Sequence, residues 1–195
     1  IGSIYHLMEE VTKDEIDAQI ALDYERFDVD PKLSRESHEI AVREYLGFKK
    51  FLENTGYGAF TAHFDQFAAD GRFRQLPLYG ASNLMAEGYG YAAEGDFVCA
   101  SMVAAAHALG DGRANFTEMY TMDFVKQAII FCHAGESNWN AAPAGKKVKL
   151  IDRFLGEGGL ENPPTHLVTP ESGMTTLTSL VSLKGDKFRL VAAKG

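Results

Sequence analysis

The hydrophobic pattern of this chain changes once, at the Gly-Asp-Gly of residues 110–112. Before that point, long segments carry apolar residues at the three- and four-residue spacing of amphipathic helices. After it, apolar residues alternate with the two-residue spacing of strands, and they continue to do so to the last residues. The change predicts an α/β fold in two parts. We expect residues 1–112 to form part of an open, Rossmann-like α/β domain and residues 113–195 to form an antiparallel β sheet or barrel.

Local signals place the individual elements. Thr12 and Glu15 form a capping box, which predicts a helix start, and Asp96 is expected to cap a later helix. The predicted helices span residues 12–27, 37–54, 78–87 and 97–109. A buried strand is predicted at residues 57–64, a glycine-rich loop at residues 88–96, and further strands at residues 115–125, 127–133, 147–152, 165–169, 175–183 and 187–192. The junction near residues 111–113 is expected to border a cleft between the two parts.

Charge and composition narrow the class of protein. A hydrophobic content of 46% is enough for a sizeable core, and a net charge of −8 argues against nucleic acid or an anionic membrane as a partner. No apolar run approaches the about 20 residues that cross a membrane. Cys99 and Cys132 lie inside predicted elements, which indicates buried free thiols. A cytoplasmic enzyme is the simplest class that fits these properties.

The termini suggest a longer protein. The chain begins with Ile1, in what looks like the end of a strand or a turn, and it stops directly after a predicted strand. We therefore expect it to be an internal piece, incomplete at both ends.

Glu118 is the first candidate for a functional residue. In a strand over residues 115–125, alternation puts it on one face with Phe116, Tyr120, Met122 and Phe124, as the only charge in an apolar stripe. An ionised carboxylate in such a place is unfavourable by several kcal/mol unless a cation or hydrogen bonds compensate it. The pattern therefore predicts a partner for Glu118.

Two more residues complete a possible ligand set. His133 closes the strand at residues 127–133 on the face of Ile129 and Phe131, and Glu94 lies in the glycine-rich loop. Carboxylates with one imidazole suit Mn, Mg, Fe or Co rather than a thiolate-bound zinc. Two simpler interpretations stay open on spacing alone: His133 as a hydrogen-bonded residue at a strand end, and Glu94 as a solvated loop carboxylate.

Three motifs resemble one enzyme family. Residues 84–96, Leu-Met-Ala-Glu-Gly-Tyr-Gly-Tyr-Ala-Ala-Glu-Gly-Asp, closely resemble the Met-Ala-(Asp/Glu)-Gly-Tyr-Gly-x-x-x-Glu-Gly-Asp segment of bacterial L-arabinose isomerases. Residues 116–121, Phe-Thr-Glu-Met-Tyr-Thr, are similar to that family's Phe-Met-Glu-Asp-Tyr-Thr. Residues 132–136, Cys-His-Ala-Gly-Glu, stand where the family has Ser-His-Met-Leu-Glu. Weaker similarity at residues 56–61, 155–159 and 185–190 extends the resemblance over nearly the whole chain.

The resemblance implies a role for each candidate. It makes Glu94, Glu118 and His133 ligands of a divalent metal, Mn(II) first, with Co(II), Fe(II) or Mg(II) as alternatives. It makes Glu94 the catalytic base and Glu118 the catalytic acid of an aldose to ketose isomerisation, and it places Phe64 near the sugar. The fourth ligand of the family is a histidine in a segment that this chain does not reach. A homo-oligomer is implied, and we expect the 195 residues alone to be inactive.

The positions at which this sequence departs from the family's motifs affect the expected identity of the sugar more than the expected type of reaction. Thr117 and Met119 flank Glu118 where the family usually has Met and Asp, and Phe97 replaces a Trp. An isomerase for another aldose, of the L-fucose isomerase kind, would keep the metal ligands and change their flanks. A noncatalytic sugar-binding relative is the third possibility, but it would not need both carboxylates and the imidazole.

Overall fold

The computed structural model describes residues 2–155 and 157–195, without the side chain of Glu157. The expected turn or strand end at Ile1, and part of the family-like segment at residues 155–159, fall outside the described residues. The helices are α1 (Gly2–Glu9), α2 (Lys13–Arg26), α3 (Arg35–Thr55), α4 (Phe64–Asp70), α5 (Leu78–Ala86) and α6 (Phe97–Leu109), with 3-10 turns at Trp139–Ala141 and Glu157–Gly159.

The strands are β1 (Asp28–Val29), β2 (Ala59–Ala62), β3 (Gly90–Ala93), β4 (Glu118–Asp123), β5 (Ala128–Cys132), β6 (Lys149–Asp152), β7 (Pro164–Leu167), β8 (Thr176–Ser182) and β9 (Phe188–Lys194). Helices and strands, with parallel and antiparallel pairs, make this an α/β fold, as the sequence predicts.

The long helices begin and end where their capping residues indicate. Thr12 accepts a hydrogen bond from the backbone N–H of Glu15, whose carboxylate accepts from the backbone N–H of Thr12, so the predicted capping box is confirmed. Asp96 accepts from Cys99 N at 2.8 Å and caps α6 as predicted. Helix α1 was not predicted from the sequence, because no capping residue was recognised at its start. Its end packs on α3, where the Arg43 guanidinium donates to the carbonyl oxygens of Met8 and Val11.

Strand β3 corrects the prediction of a loop over residues 88–96. All of its residues, Gly90–Ala93, are buried, and it pairs in parallel with β2, Ala59 opposite Gly90 and Ala62 opposite Ala93. A parallel strand buried on both faces carries no alternation, so the glycines gave a misleading loop signal. Gly90 is needed for packing, because a Cβ there would lie 2.1 Å from the carbonyl oxygen of Ala100 in α6.

One sheet joins residues from both sides of the predicted boundary at residue 112. Its order is β1-β6-β7, with β1 and β6 parallel and β6 and β7 antiparallel. Leu150 of β6 is fully buried, and β7 packs against α5 and α3. The second half of the chain therefore contributes to the core of the first.

The remaining strands form two antiparallel hairpins, β4 with β5 and β8 with β9. Both carry exposed apolar side chains, among them Phe124 (83% exposed) and Phe188. Cys132, predicted to be buried, is exposed because it lies on the first hairpin, and Cys99 is half-buried; both are free thiols. No helix in the described part of the chain is long and apolar enough to cross a membrane.

Polar groups are buried between the helices and β7. Asp23 accepts hydrogen bonds from Tyr79 Oη (2.6 Å) and from Gln19, and His38 Nε2 lies 2.7 Å from it. The ring of His166 stacks on Tyr79 at a centroid distance of 5.4 Å. Burial lowers the pKa of His166 to about 4.

Candidate active site

The turn after β3 carries Glu94. Glu94 has φ 59° and Gly95 has φ 88°, so two consecutive residues adopt the left-handed conformation. Gly95 N donates to Thr61 Oγ1 at 3.0 Å, which fixes the turn to the end of β2. A residue other than glycine held at positive φ stores about 1 kcal/mol or more of strain, and such residues cluster at functional sites. The Glu94 side chain is exposed and has no hydrogen-bond or ion-pair partner among residues 2–155 and 157–195.

Phe64 lies at the same edge of the β2–β3 pair. Because Ala62 is opposite Ala93 in a parallel register, the segments that follow both strands leave the sheet side by side. Ligands of open α/β sheets bind beyond these carboxyl ends. Strand β2 stops at Ala62, two residues before the predicted end, and Phe64 begins α4, half-buried against the core. His63 completes this edge: a Cβ on Gly95 would lie 3.5 Å from its Cδ2.

Glu118 is the first residue of β4, opposite Cys132 of β5, and it is half-buried. The apolar stripe predicted around it is buried only at Phe116; Tyr120, Met122 and Phe124 are exposed. The register shifts between Met119 and Thr121, which breaks the alternation at Tyr120. Other described residues also leave both faces of the hairpin uncovered. Its alternating apolar residues are therefore exposed and not buried.

His133 follows β5 directly and is better buried than its strand. Its side chain is 9% exposed, and its ring meets the Phe116 ring edge to face at 4.8 Å. Its Nδ1 lies 3.3 Å from the backbone oxygen of Glu136 and 3.3 Å from Glu136 Oε2. The predicted face shared with Ile129 and Phe131 ends at Cys132, where the strand ends.

Tyr91 and Glu136 are the functional candidates that sequence reasoning missed. Both are fully buried, and the Tyr91 hydroxyl donates a hydrogen bond to Glu136 Oε1. Glu136 Oε2 makes no hydrogen bond within the described residues. Glu136 belongs to the third family-like motif, which could have pointed to it, whereas Tyr91 looked like a loop residue.

The candidate residues contribute to the pKa values of this buried pair. Burial raises the pKa of the Glu136 carboxyl; the Tyr91 hydrogen bond and His133 oppose the rise, and the Glu118 carboxylate adds to it. Burial also holds the pKa of Tyr91 well above its usual value, with contributions from Glu136 and then Glu94. Glu94 therefore contributes to the pKa of Tyr91, and His133 and Glu118 contribute to that of Glu136.

The donor types fit a divalent cation. Glu94 and Glu118 offer carboxylate oxygens without partners in the described chain, and His133 keeps Nε2 available because Nδ1 faces Glu136. Within residues 2–155 and 157–195, however, no three His, Cys, Asp or Glu side chains are gathered closely enough to hold an ion. The structure brings Glu94 and Phe64 to one edge and His133 to Glu136, but it does not assemble the three predicted ligands.

The expected cleft at the junction does not contain the candidates. A depression of about 460 Å³ borders the junction and is lined by residues that include Arg113 and Glu171, which form an ion pair. Neither Glu94 nor Glu118 lines it.

Comparison with known proteins decides the family. Residues 1–112 match the family model of the L-arabinose isomerase central domain, and residues 113–195 match that of the L-arabinose isomerase C-terminal domain. The chain belongs to the L-arabinose isomerase family. Within this family, it is 34% identical over 194 residues to the L-arabinose isomerase of Clostridium beijerinckii, covering 98% of this chain and 38% of that protein.

Two further relatives agree. The L-arabinose isomerase of Bacillus subtilis is 32% identical over 200 residues, and that of Clavibacter sepedonicus is 32% identical over 203 residues. Each alignment covers 98% of this chain and 39% of the relative. The chain thus spans about two fifths of the length of the L-arabinose isomerases that it matches.

Proposed function

We propose that the protein containing this chain is a metal-dependent aldose–ketose isomerase that converts L-arabinose to L-ribulose. The observation that carries the proposal is that both halves of the chain match the L-arabinose isomerase family models, with Glu94, Glu118 and His133 at positions that match the family's motifs. The relatives reported above are all named L-arabinose isomerase, which favours L-arabinose over another aldose such as L-fucose.

The two glutamates carry the proton transfers in this proposal. Glu94 takes the proton from C2 of the open-chain aldose and returns it to C1, and Glu118 moves the proton from the C2 oxygen to the C1 oxygen as the sugar passes through its enediolate. Such a division requires carboxylates in different surroundings. The structure supports that requirement, since Glu94 is exposed on a strained turn whereas Glu118 is half-buried near Glu136. Phe64 would line the sugar site from the adjoining end of β2.

Glu94, Glu118 and His133 would hold the cation, with Mn(II) proposed first and Co(II), Fe(II) or Mg(II) as alternatives. When bound, it would polarise the sugar carbonyl and stabilise developing negative charge on the neighbouring oxygen. The remaining ligand would come from outside this chain. We propose further that the protein works as a homo-oligomer and that the 195 residues alone turn over no sugar.

A pair of matched substitutions tests the assignment. Glu118→Gln removes a carboxylate from β4 while keeping size and shape, and should abolish ketose formation from L-arabinose with the circular dichroism spectrum unchanged. Asp123→Asn makes the same exchange at the other end of the strand, where the side chain accepts hydrogen bonds from Val125 N and Lys126 N and an amide oxygen can do the same. That control should keep its activity. Near-normal turnover by Glu118→Gln would remove Glu118 from the mechanism.

A further inference from the structure

We propose that Glu136 is a positioning residue that holds the His133 imidazole with its proton on Nδ1, so that the Nε2 lone pair is presented to the site. This inference rests on the proposed function for its purpose, because it assumes that His133 binds a cation. Its geometric part depends only on the contacts of the two side chains.

The contacts fix the imidazole tautomer. His133 Nδ1 lies 3.3 Å from the backbone carbonyl oxygen of Glu136. A carbonyl oxygen carries no hydrogen, so this contact is a hydrogen bond only when Nδ1 donates. Glu136 Oε2 lies at the same distance from Nδ1 without forming a hydrogen bond, and the attraction between a carboxylate oxygen and an N–H also favours the proton on Nδ1. In the neutral ring Nε2 is then the acceptor, which is the form that binds a metal ion.

Tyr91 holds the carboxylate from the other side. Its hydroxyl donates to Glu136 Oε1, which turns Oε2 toward His133. Tyr91 is fully buried on β3, three residues before Glu94, and its ring lies 5.0 Å from that of Phe60 on β2. The contacts Tyr91–Glu136–His133 therefore link the strand that precedes Glu94 to the imidazole. Partners of this kind orient metal-binding histidines, and their loss typically weakens metal affinity about 10–100-fold.

The alternative is a purely structural role, in which Glu136 only contributes to the stability of the core. Glu44 allows the two to be separated, because it is a second fully buried carboxylate, on α3, and no contact with His133 or Tyr91 involves it. A general effect of removing a buried carboxylate would be the same at both positions. An effect through the imidazole would occur only at Glu136.

The experiment compares Glu136→Gln, Tyr91→Phe and Glu44→Gln in the protein that contains this chain. Mn(II) affinity is measured by titration calorimetry, and the His133 tautomer is read without metal from nitrogen-15 spectra of histidine-labelled protein, with His133→Gln identifying the signal. We expect Glu136→Gln to weaken Mn(II) binding about 10–100-fold, Tyr91→Phe to weaken it less, and Glu44→Gln to leave it unchanged. We also expect the unaltered protein to hold the proton on Nδ1 and Glu136→Gln to lower the fraction of that tautomer, because the carboxylate beside Nδ1 is lost and only the backbone carbonyl oxygen remains as its acceptor.

The outcomes distinguish this inference from the proposed function. If the unaltered protein binds Mn(II) and Glu136→Gln binds it equally well with an unchanged tautomer, the positioning role is wrong while the function stands. If the unaltered protein binds no Mn(II), Co(II), Fe(II) or Mg(II), the proposed function fails, and the tautomer spectra still decide whether Glu136 positions the ring. Circular dichroism and thermal unfolding of the metal-free variants show whether each one is folded.

Discussion

The strained turn at Glu94 allows a test in which stability and activity change in opposite directions. Glu94 is exposed, lacks a partner in the described chain and is held at φ 59°. The left-handed conformation is unfavourable by about 1–2 kcal/mol for most residues, but asparagine adopts it readily. Glu94→Asn should therefore raise the free energy of unfolding by about 1 kcal/mol, or the melting temperature by about 3 °C for a unit of this size. It should also abolish isomerase activity, because the carboxylate is gone.

Two further variants distinguish the effect of backbone strain on stability from the effect of the lost carboxylate on activity. Glu94→Gln removes the charge but keeps a long side chain at positive φ, so it should lose activity without gaining stability. Gln127→Asn addresses the other such position, φ 52° in the turn between β4 and β5, and it should gain stability while keeping activity. Unfolding is followed by circular dichroism in urea and turnover by ketose formation. Equal stability of Glu94→Asn and Glu94→Gln would contradict strain at Glu94, and a normal rate of isomerisation by either variant would contradict its catalytic role.

Three further predictions concern the scaffold. Gly90→Ala should destabilise the protein by several kcal/mol in urea unfolding, since its Cβ would lie 2.1 Å from the Ala100 carbonyl oxygen; a wild-type midpoint would contradict the close packing of α6. Because folding lowers the pKa of His166 from 6.5 to about 4, the unfolded chain binds more protons between these values, so stability should fall by up to about 3 kcal/mol as the pH drops from 6.5 to 4. His166→Phe should flatten that fall, and an unchanged slope would exclude His166 as its source. Burial raises the pKa of Glu44 well above 4.5, so this side chain disfavours folding progressively as the pH rises above 4.5. Glu44→Gln should lessen that loss of stability when unfolding is measured at several pH values. An equal loss of stability in both proteins would contradict the assignment to Glu44.

Much of the fold could be predicted from the sequence because it is encoded locally. The helices α2, α3 and α6 carry N-capping side chains, α5 was predicted without one, and the predicted bounds of all four agree to within a residue or two. The hairpin strands show clear alternation and were also predicted. Strand β3 was not, since a parallel strand buried on both faces has neither signal. Helix α1 was missed because its stability comes from packing on α3 rather than from a cap.

The candidate site was only partly predictable, for a related reason. Motifs pointed to Glu94, Glu118 and His133, but the buried pair beside them joins residues distant in sequence. Tyr91 and Glu136 are 45 positions apart in the sequence, so the local spacing of residues does not predict their hydrogen bond. The alternation around Glu118 predicted burial, whereas the hairpin is exposed among the described residues, since alternation reports which face is apolar and not what covers it.

The isomerase function is tested most directly by measuring ketose formation from L-arabinose and a panel of other aldoses by the protein that contains this chain, with Mn(II) and again after chelation. A metal-dependent L-arabinose isomerase should form L-ribulose from L-arabinose, lose turnover after chelation and recover it when Mn(II) is restored. Absence of ketose from every aldose, in protein shown to bind the metal, would contradict the isomerase function and leave a noncatalytic sugar-binding relative as the alternative.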